Sequence, residues 1–167
     1  MGGINCPPGG GGISDEFMSE YIAELASYSK SLFGASANFY AANVAIEEAV
    51  LSNGDVVCAV QLLDSCMRAL SDAVSTLGTV ASLWSSVRSP EVDFGEQQQM
   101  ISEARGLVEV ACLELQGMDV RDSLQGSLWR DPALTQAFVG ALKALSEATE
   151  WQATFAQALA PANLIAR

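Results

Sequence analysis

Between Val56 and Val87 the apolar residues recur in alternating steps of four and three. Val56, Val60, Leu63, Met67, Leu70, Val74, Leu77, Ala81 and Trp84 form a heptad seam, the spacing that keeps one face of a helix turned toward a neighbour. A second series, Ala59, Leu62, Cys66, Ala69, Ala73, Thr76, Val80, Leu83 and Val87, lies beside the first on the helical wheel. Together the two cover more than half the circumference, a wider arc than a helix with one partner needs. Such a helix is expected to be wrapped by protein on two sides. Asp64, Arg68 and Asp72 occupy the remaining arc, with Asp64 and Arg68 at the i,i+4 spacing of an ion pair.

Three other segments carry the same rhythm. The first follows Ser14, an N-cap residue with Asp15 and Glu16 in the favourable first turn. Its seam is Met18, Ile22, Leu25, Ser29, Leu32, Ser36, Phe39, Asn43, Ile46 and Val50. The rhythm survives Gly34, so a single helix to about Leu51 is expected. One layer of it (Ile22, Ser29, Ser36, Asn43, Val50) is largely small or polar, which costs stability and fixes register. The flanking aromatic residues shift from Tyr21 and Tyr28 on one side to Phe33 and Tyr40 on the other, which implies a change of neighbour or a bend near Gly34.

Asn53-Gly54 closes this helix and Asp55 caps the next, which ends before Ser89-Pro90. A third helix starts near Asp93 or Gly95, with Ile101, Ala104, Val108, Ala111, Leu115 and Met118 as its seam. Leu107 to Leu115 alternates in part and would pass for a strand, but no second strand is available to pair with it. As a helix, it points Val110 and Leu113 away from the seam. Val120 to Arg130 reads as a turn with one or two helical turns, its Leu124, Leu128 and Trp129 lying over one end. Asp131-Pro132 starts the last helix, whose seam runs Leu134, Phe138, Ala141, Leu145, Ala148, Gln152, Phe155 and Leu159 before Pro161.

The expected fold is therefore all-α. It is an elongated antiparallel four-helix bundle with helices at about 15–51, 55–88, 95–118 and 132–159, a short capping helix near 120–130 and a Gly/Pro-rich N-terminal arm. Residues 1–13 are expected to be a flexible arm, 14–160 a single domain and 161–167 a tail.

Composition narrows the function. Twenty acidic against 8 basic residues give a net charge of -12, which repels nucleic-acid phosphates and anionic membranes. The absence of histidine removes the commonest general base and the commonest zinc ligand. Cys6, Cys58, Cys66 and Cys112 form no C-x-x-C pair and read as reduced, with Cys58 on the polar arc as a surface thiol. Glu24 and Glu47 could face inward, but no other carboxylate matches them in depth, and no histidine supports a metal. Gly9 to Gly12 is followed by no Lys-Ser/Thr and is not a phosphate loop. There is no signal-peptide pattern and no stretch approaching a membrane span. The expected location is the cytoplasm, or outside it by a route that needs no signal peptide.

No catalytic constellation, cofactor site or metal site is expected. The chain reads as an acidic, non-enzymatic interaction or assembly protein. It would self-associate into an oligomer or filament, or bind a partner helix, with Tyr21, Tyr28, Val110 and Leu113 as candidate interface residues. Two alternatives follow from the low charge density and the acidity. One is an apolar-ligand carrier or membrane-active bundle opening around Ala73 to Val87; the other is an acidic secretion adaptor or chaperone.

Overall fold

A computed structural model describes residues 13–52, 54–88, 92–118 and 131–166 of the chain. Four helices carry the architecture: α1 (Asp15–Ser52), α2 (Val57–Ser85), α3 (Phe94–Gly117) and α4 (Pro132–Phe155). Of the expected N-terminal arm at 1–13, residues 1–12 lie outside the described residues, as does the expected capping helix near 120–130, while Ile13 is half-buried against the core.

The caps act where the sequence places them. Ser14 Oγ accepts from the Phe17 N–H at 3.1 Å, Asp55 Oδ1 from the Val57 N–H at 3.1 Å, Asp93 Oδ1 from the Glu96 N–H at 3.0 Å and Asp131 Oδ1 from the Ala133 N–H at 3.0 Å. Each satisfies a helix N–H that would otherwise lack an acceptor. The Gly54 N–H donates back to the Ala49 carbonyl at 3.1 Å and closes α1. Helix α1 is continuous through Gly34 and, at ~1.5 Å per residue, is nearly 60 Å long. Helix α3 is continuous through the stretch that could have been a strand.

The helices alternate in direction. Tyr21, Trp84, Phe94 and Trp151 come from the start of α1, the end of α2, the start of α3 and the end of α4, and their rings meet in sequence, the first pair stacked, the second edge-on and the third tilted. Ring centroids are 6.2, 5.9 and 6.1 Å apart along that chain, and Phe155 extends it at 4.8 Å from Trp151. At the other end Cys112 of α3 lies against the Val60 carbonyl of α2.

Helix α2 packs on both α1 and α3, as its wide apolar arc requires. Its buried set alternates between the two series: Ala59, Leu63, Cys66, Leu70, Ala73, Leu77, Val80 and Trp84. The other members of each series, among them Met67, Val74, Leu62 and Leu83, are half-buried along the flanks. Leu63, Leu70 and Leu77 are fully buried, each contributing about 1.5–3 kcal/mol of apolar transfer energy. Helix α4 packs closely on α3. A Cβ built on Gly140 would stand 2.9 Å from Leu107 Cδ1, so a larger residue here would require the Leu107 side chain to shift. Ala137, Ala141, Ala144 and Ala148 continue the small-residue stripe.

Three expectations are corrected. In α1 the seam residue Ile22 is 48% exposed, whereas its neighbours Tyr21 and Tyr28 are fully buried. Helix α4 stops at Phe155, short of Leu159, and the chain passes through turns to Pro161, which has no N–H to offer a further helical bond. The freed Leu159 carbonyl accepts from the Tyr21 hydroxyl at 2.6 Å. Finally, the tail is tied down. After a 3-10 turn at Pro161–Asn163, β2 (Ile165–Ala166) pairs antiparallel with β1 (Val87–Arg88), and Leu159 and Leu164 close the aromatic end. The end of α2 is correspondingly three residues earlier than expected, at Ser85.

Leu70 sits at the centre of the most heavily packed helix. Leu70→Ala should lower unfolding free energy by about 2–5 kcal/mol in denaturant titrations, and Leu70→Asp should leave the chain molten or unfolded by circular dichroism. Wild-type melting of Leu70→Asp would contradict the packing described.

Candidate functional site

Of the four residues proposed from the sequence as an interface, two do not reach the surface. Tyr21 and Tyr28 are fully buried, covered by the chain's own helices. The Tyr28 hydroxyl accepts from Gln97 Nε2 at 2.8 Å, and the same amide donates to the Ala148 carbonyl at 2.9 Å, joining α1, α3 and α4 through one buried glutamine. Gln97 occupies the heptad position four before Ile101, and that spacing was the signal for its burial. Val110 and Leu113 are exposed, at 44% and 60%. They lie on the outer side of α3, with Leu113 bordering a groove toward Val60 and Met67 of α2.

The larger apolar surface lies along α1 and α4. Ten large apolar residues are exposed among the described residues, and seven of them fall here. Helix α1 supplies Ile22, Phe33, Tyr40, Val44 and Leu51, and α4 supplies Val139 and Leu142. Ile22, Phe33 and Val44 are spaced by eleven, as are Ser29, Tyr40 and Leu51. Eleven residues make three helical turns, so these columns stay on one face along the whole helix, where a seven-residue repeat would drift.

This face exists because α1 and α4 meet only lightly. The polar layer of the α1 seam is what faces α4. Ser29 Oγ accepts from Gln152 Nε2 at 3.0 Å, and Phe39 meets Phe138 with ring centroids 5.2 Å apart. Between them an open cleft of about 180 Å³ is lined by Phe39, Tyr40, Asn43, Phe138, Val139 and Leu142, none of them charged. A smaller hollow of about 100 Å³ continues it toward Ser36, Ser146 and Thr149. The Ser36 hydroxyl has no hydrogen-bond partner among the described residues.

The opposite seam, between α2 and α3, is polar. Arg68 pairs with Asp64 at 2.7 Å, and Arg105 donates to Ser71 Oγ at 2.7 Å and stands 4.0 Å from Glu109. These groups are solvated, and exposed pairs of this kind contribute at most about 1 kcal/mol each. Among the described residues no three potential metal ligands cluster, and no helix is long and apolar enough to cross a membrane. Glu47 is exposed and Glu24 half-buried, so they form no inward-facing pair. Cys58 is an exposed free thiol, as its place on the polar arc implied, and Cys66 and Cys112 are buried free thiols.

Comparison with protein-family models, with curated proteins and with solved structures returns no match.

Burial also sets the ionisation of the core. It pushes the Tyr28 hydroxyl up to about 12 despite the Gln97 hydrogen bond, pushes the Cys66 thiol up to about 12, and raises Tyr21 further still. Cys112 is raised by burial and then by the nearby charges of Asp64 and Glu109. The folded chain thus holds these protons more tightly than the unfolded chain, so proton loss favours unfolding. Stability should be insensitive to this set below the ordinary thiol value of 9.0 and should fall as pH rises through 10.0, the ordinary tyrosine value, toward 12. Urea midpoints measured across that range check this. Tyr28→Phe should flatten the alkaline fall while lowering neutral stability by about 1 kcal/mol. An alkaline limb unchanged by Tyr28→Phe would contradict the assignment.

Proposed function

We propose that this chain is a non-enzymatic helical interaction and assembly protein that works by contact, through the face shared by α1 and α4. The supporting observation is the concentration of exposed large apolar side chains on that one face of an otherwise acidic molecule. Contiguous apolar surface of this kind is costly in water and marks a place where protein docks. Tyr and Phe at its centre are the residue types that carry binding energy in helix-on-helix contacts. The cleft beside Tyr40 favours contact over carriage. Its volume of about 180 Å³ takes one side chain, whereas pockets for small-molecule ligands run to roughly 300–1,000 Å³, and the hollows of about 310 and 410 Å³ between α2 and α3 are open and lined in part by charged side chains. The acidic remainder of the surface keeps the molecule soluble and favours contact at the face where the apolar side chains concentrate.

Tyr40 is 60% exposed and Val44 51% exposed, so both can be changed without disturbing the core. Tyr40→Asp should weaken association at least about 30-fold, the effect of losing a central anchor worth about 2 kcal/mol. It should leave denaturant stability of the separated chain within about 0.5 kcal/mol of wild type. Sedimentation equilibrium of the chain alone, with capture of native partners on immobilised wild type and variant, measures both kinds of contact. Association that survives Tyr40→Asp and Val44→Asp together would overturn this reading.

A further inference from the structure

The uncovered face of α1 has an internal symmetry that indicates what covers it. Beyond Ile22, the residues exposed along it are Ala26, Phe33, Ala37, Tyr40, Val44, Glu47 and Leu51 in that order. Turn a second copy of the helix end for end about the point between Asn38 and Phe39, the centre of the stretch from Ala26 to Leu51, and these residues become complementary to themselves. Phe33 then faces the partner's Val44, Ala37 faces the partner's Tyr40, and Ala26 faces the partner's Leu51. Each bulky side chain meets a small or shorter one, the arrangement that lets two helices approach.

The charges follow the same symmetry. Lys30 and Glu48 are exposed and stand one column outward, with Ala37 and Ala41 between them at steps of seven, four and seven. In the reversed pairing Lys30 stands level with the partner's Glu47 and one residue from the partner's Glu48, at both ends of the contact. In a parallel pairing the two-fold axis would run along the helices, the Lys30 and Glu48 columns of the two copies would fall on opposite sides of the seam with no such pairing, and Tyr40 would stand against the partner's Tyr40. Opposite charges at flanking positions set helix orientation and like charges oppose it.

Building on the contact function proposed above, we propose that the occupant of this face is a second copy of the chain. The two copies form an isologous dimer through antiparallel α1 helices, with Lys30 paired to the partner's Glu48. Rotation about the two-fold axis places both α4 helices on one side of the pair, where Val139 and Leu142 close over the seam. The first twelve residues of the chain are a poorer cover, since six are glycine, two are proline and Ile4 is the sole β-branched or aromatic residue among them. From Ala26 to Leu51 the paired face runs about 38 Å, and with a helix width of about 10 Å it offers on the order of 380 Å² per copy before α4 is counted. That lies in the range of a weak, reversible dimer, with dissociation expected at micromolar concentration.

The test is a charge-exchange cycle followed by sedimentation equilibrium of the full chain at low salt. Lys30→Glu and Glu48→Lys should each weaken the dimer about tenfold, because each turns two attractive contacts into repulsive ones. The double variant should recover to within about threefold of wild type. Circular dichroism of each variant checks that helicity is kept, as expected for exposed positions. A dimer dissolved by Tyr40→Asp but indifferent to the charge exchange would overturn the antiparallel register and leave the α1/α4 contact reading standing. A dimer indifferent to Tyr40→Asp as well would overturn both. A strict monomer at high micromolar concentration would overturn the second copy as occupant, and the contact reading would then rest on partner capture alone.

Discussion

The structure depends on burying the wide apolar arc of α2 against two neighbours at once. Leu63, Leu70 and Leu77 have no contact with water, and the residues flanking them are half-covered by α1 on one side and α3 on the other. A helix apolar over more than half its surface cannot be satisfied by a hairpin, so the fold needs both partners before it is stable. Helix α4 then docks on α3, where Gly140 and a run of alanines let the backbones come close. The run of aromatic rings from Tyr21 to Phe155 closes one end, and the paired tail seals it.

The packing leaves one seam thin. Where α1 meets α4, the layer of Ser29, Ser36 and Asn43 replaces the aliphatic residues found on the other contacts, and the join includes a side-chain hydrogen bond, an aromatic pair and a cleft. Large apolar side chains on both helices consequently remain at the surface beside it. The polar layer that costs the fold stability is thus adjacent to the surface the proposed function uses. A bundle sealed on all four sides would have no such face to offer.

Much of this was legible in the sequence, for identifiable reasons. The caps at Ser14, Asp55, Asp93 and Asp131 and the four-three spacing fixed four helices to within a few residues, because backbone satisfaction and burial periodicity are local properties. What was not legible depended on helix rotation. A strict seven-residue repeat drifts by about 20° per heptad on a straight helix. The seam drawn through Ile22 therefore missed the rotation that buries Tyr21 and Tyr28. The shift of aromatic residues to Phe33 and Tyr40 was visible, but its meaning required knowing that α4 stands far enough away to leave them exposed. The tail's pairing with Val87–Arg88 joins residues far apart in sequence, and no local pattern encodes it.

The account's central claim is that the α1/α4 face is the surface the molecule covers when it works. Hydroxyl-radical footprinting of the intact chain over a range of concentrations tests this residue by residue. The account predicts that Phe33, Tyr40, Val44 and Leu142 become protected as concentration rises, while Val57 and Val110 stay reactive throughout. Protection that develops at Val110 and Leu113, with Phe33 and Tyr40 remaining fully reactive, would contradict it.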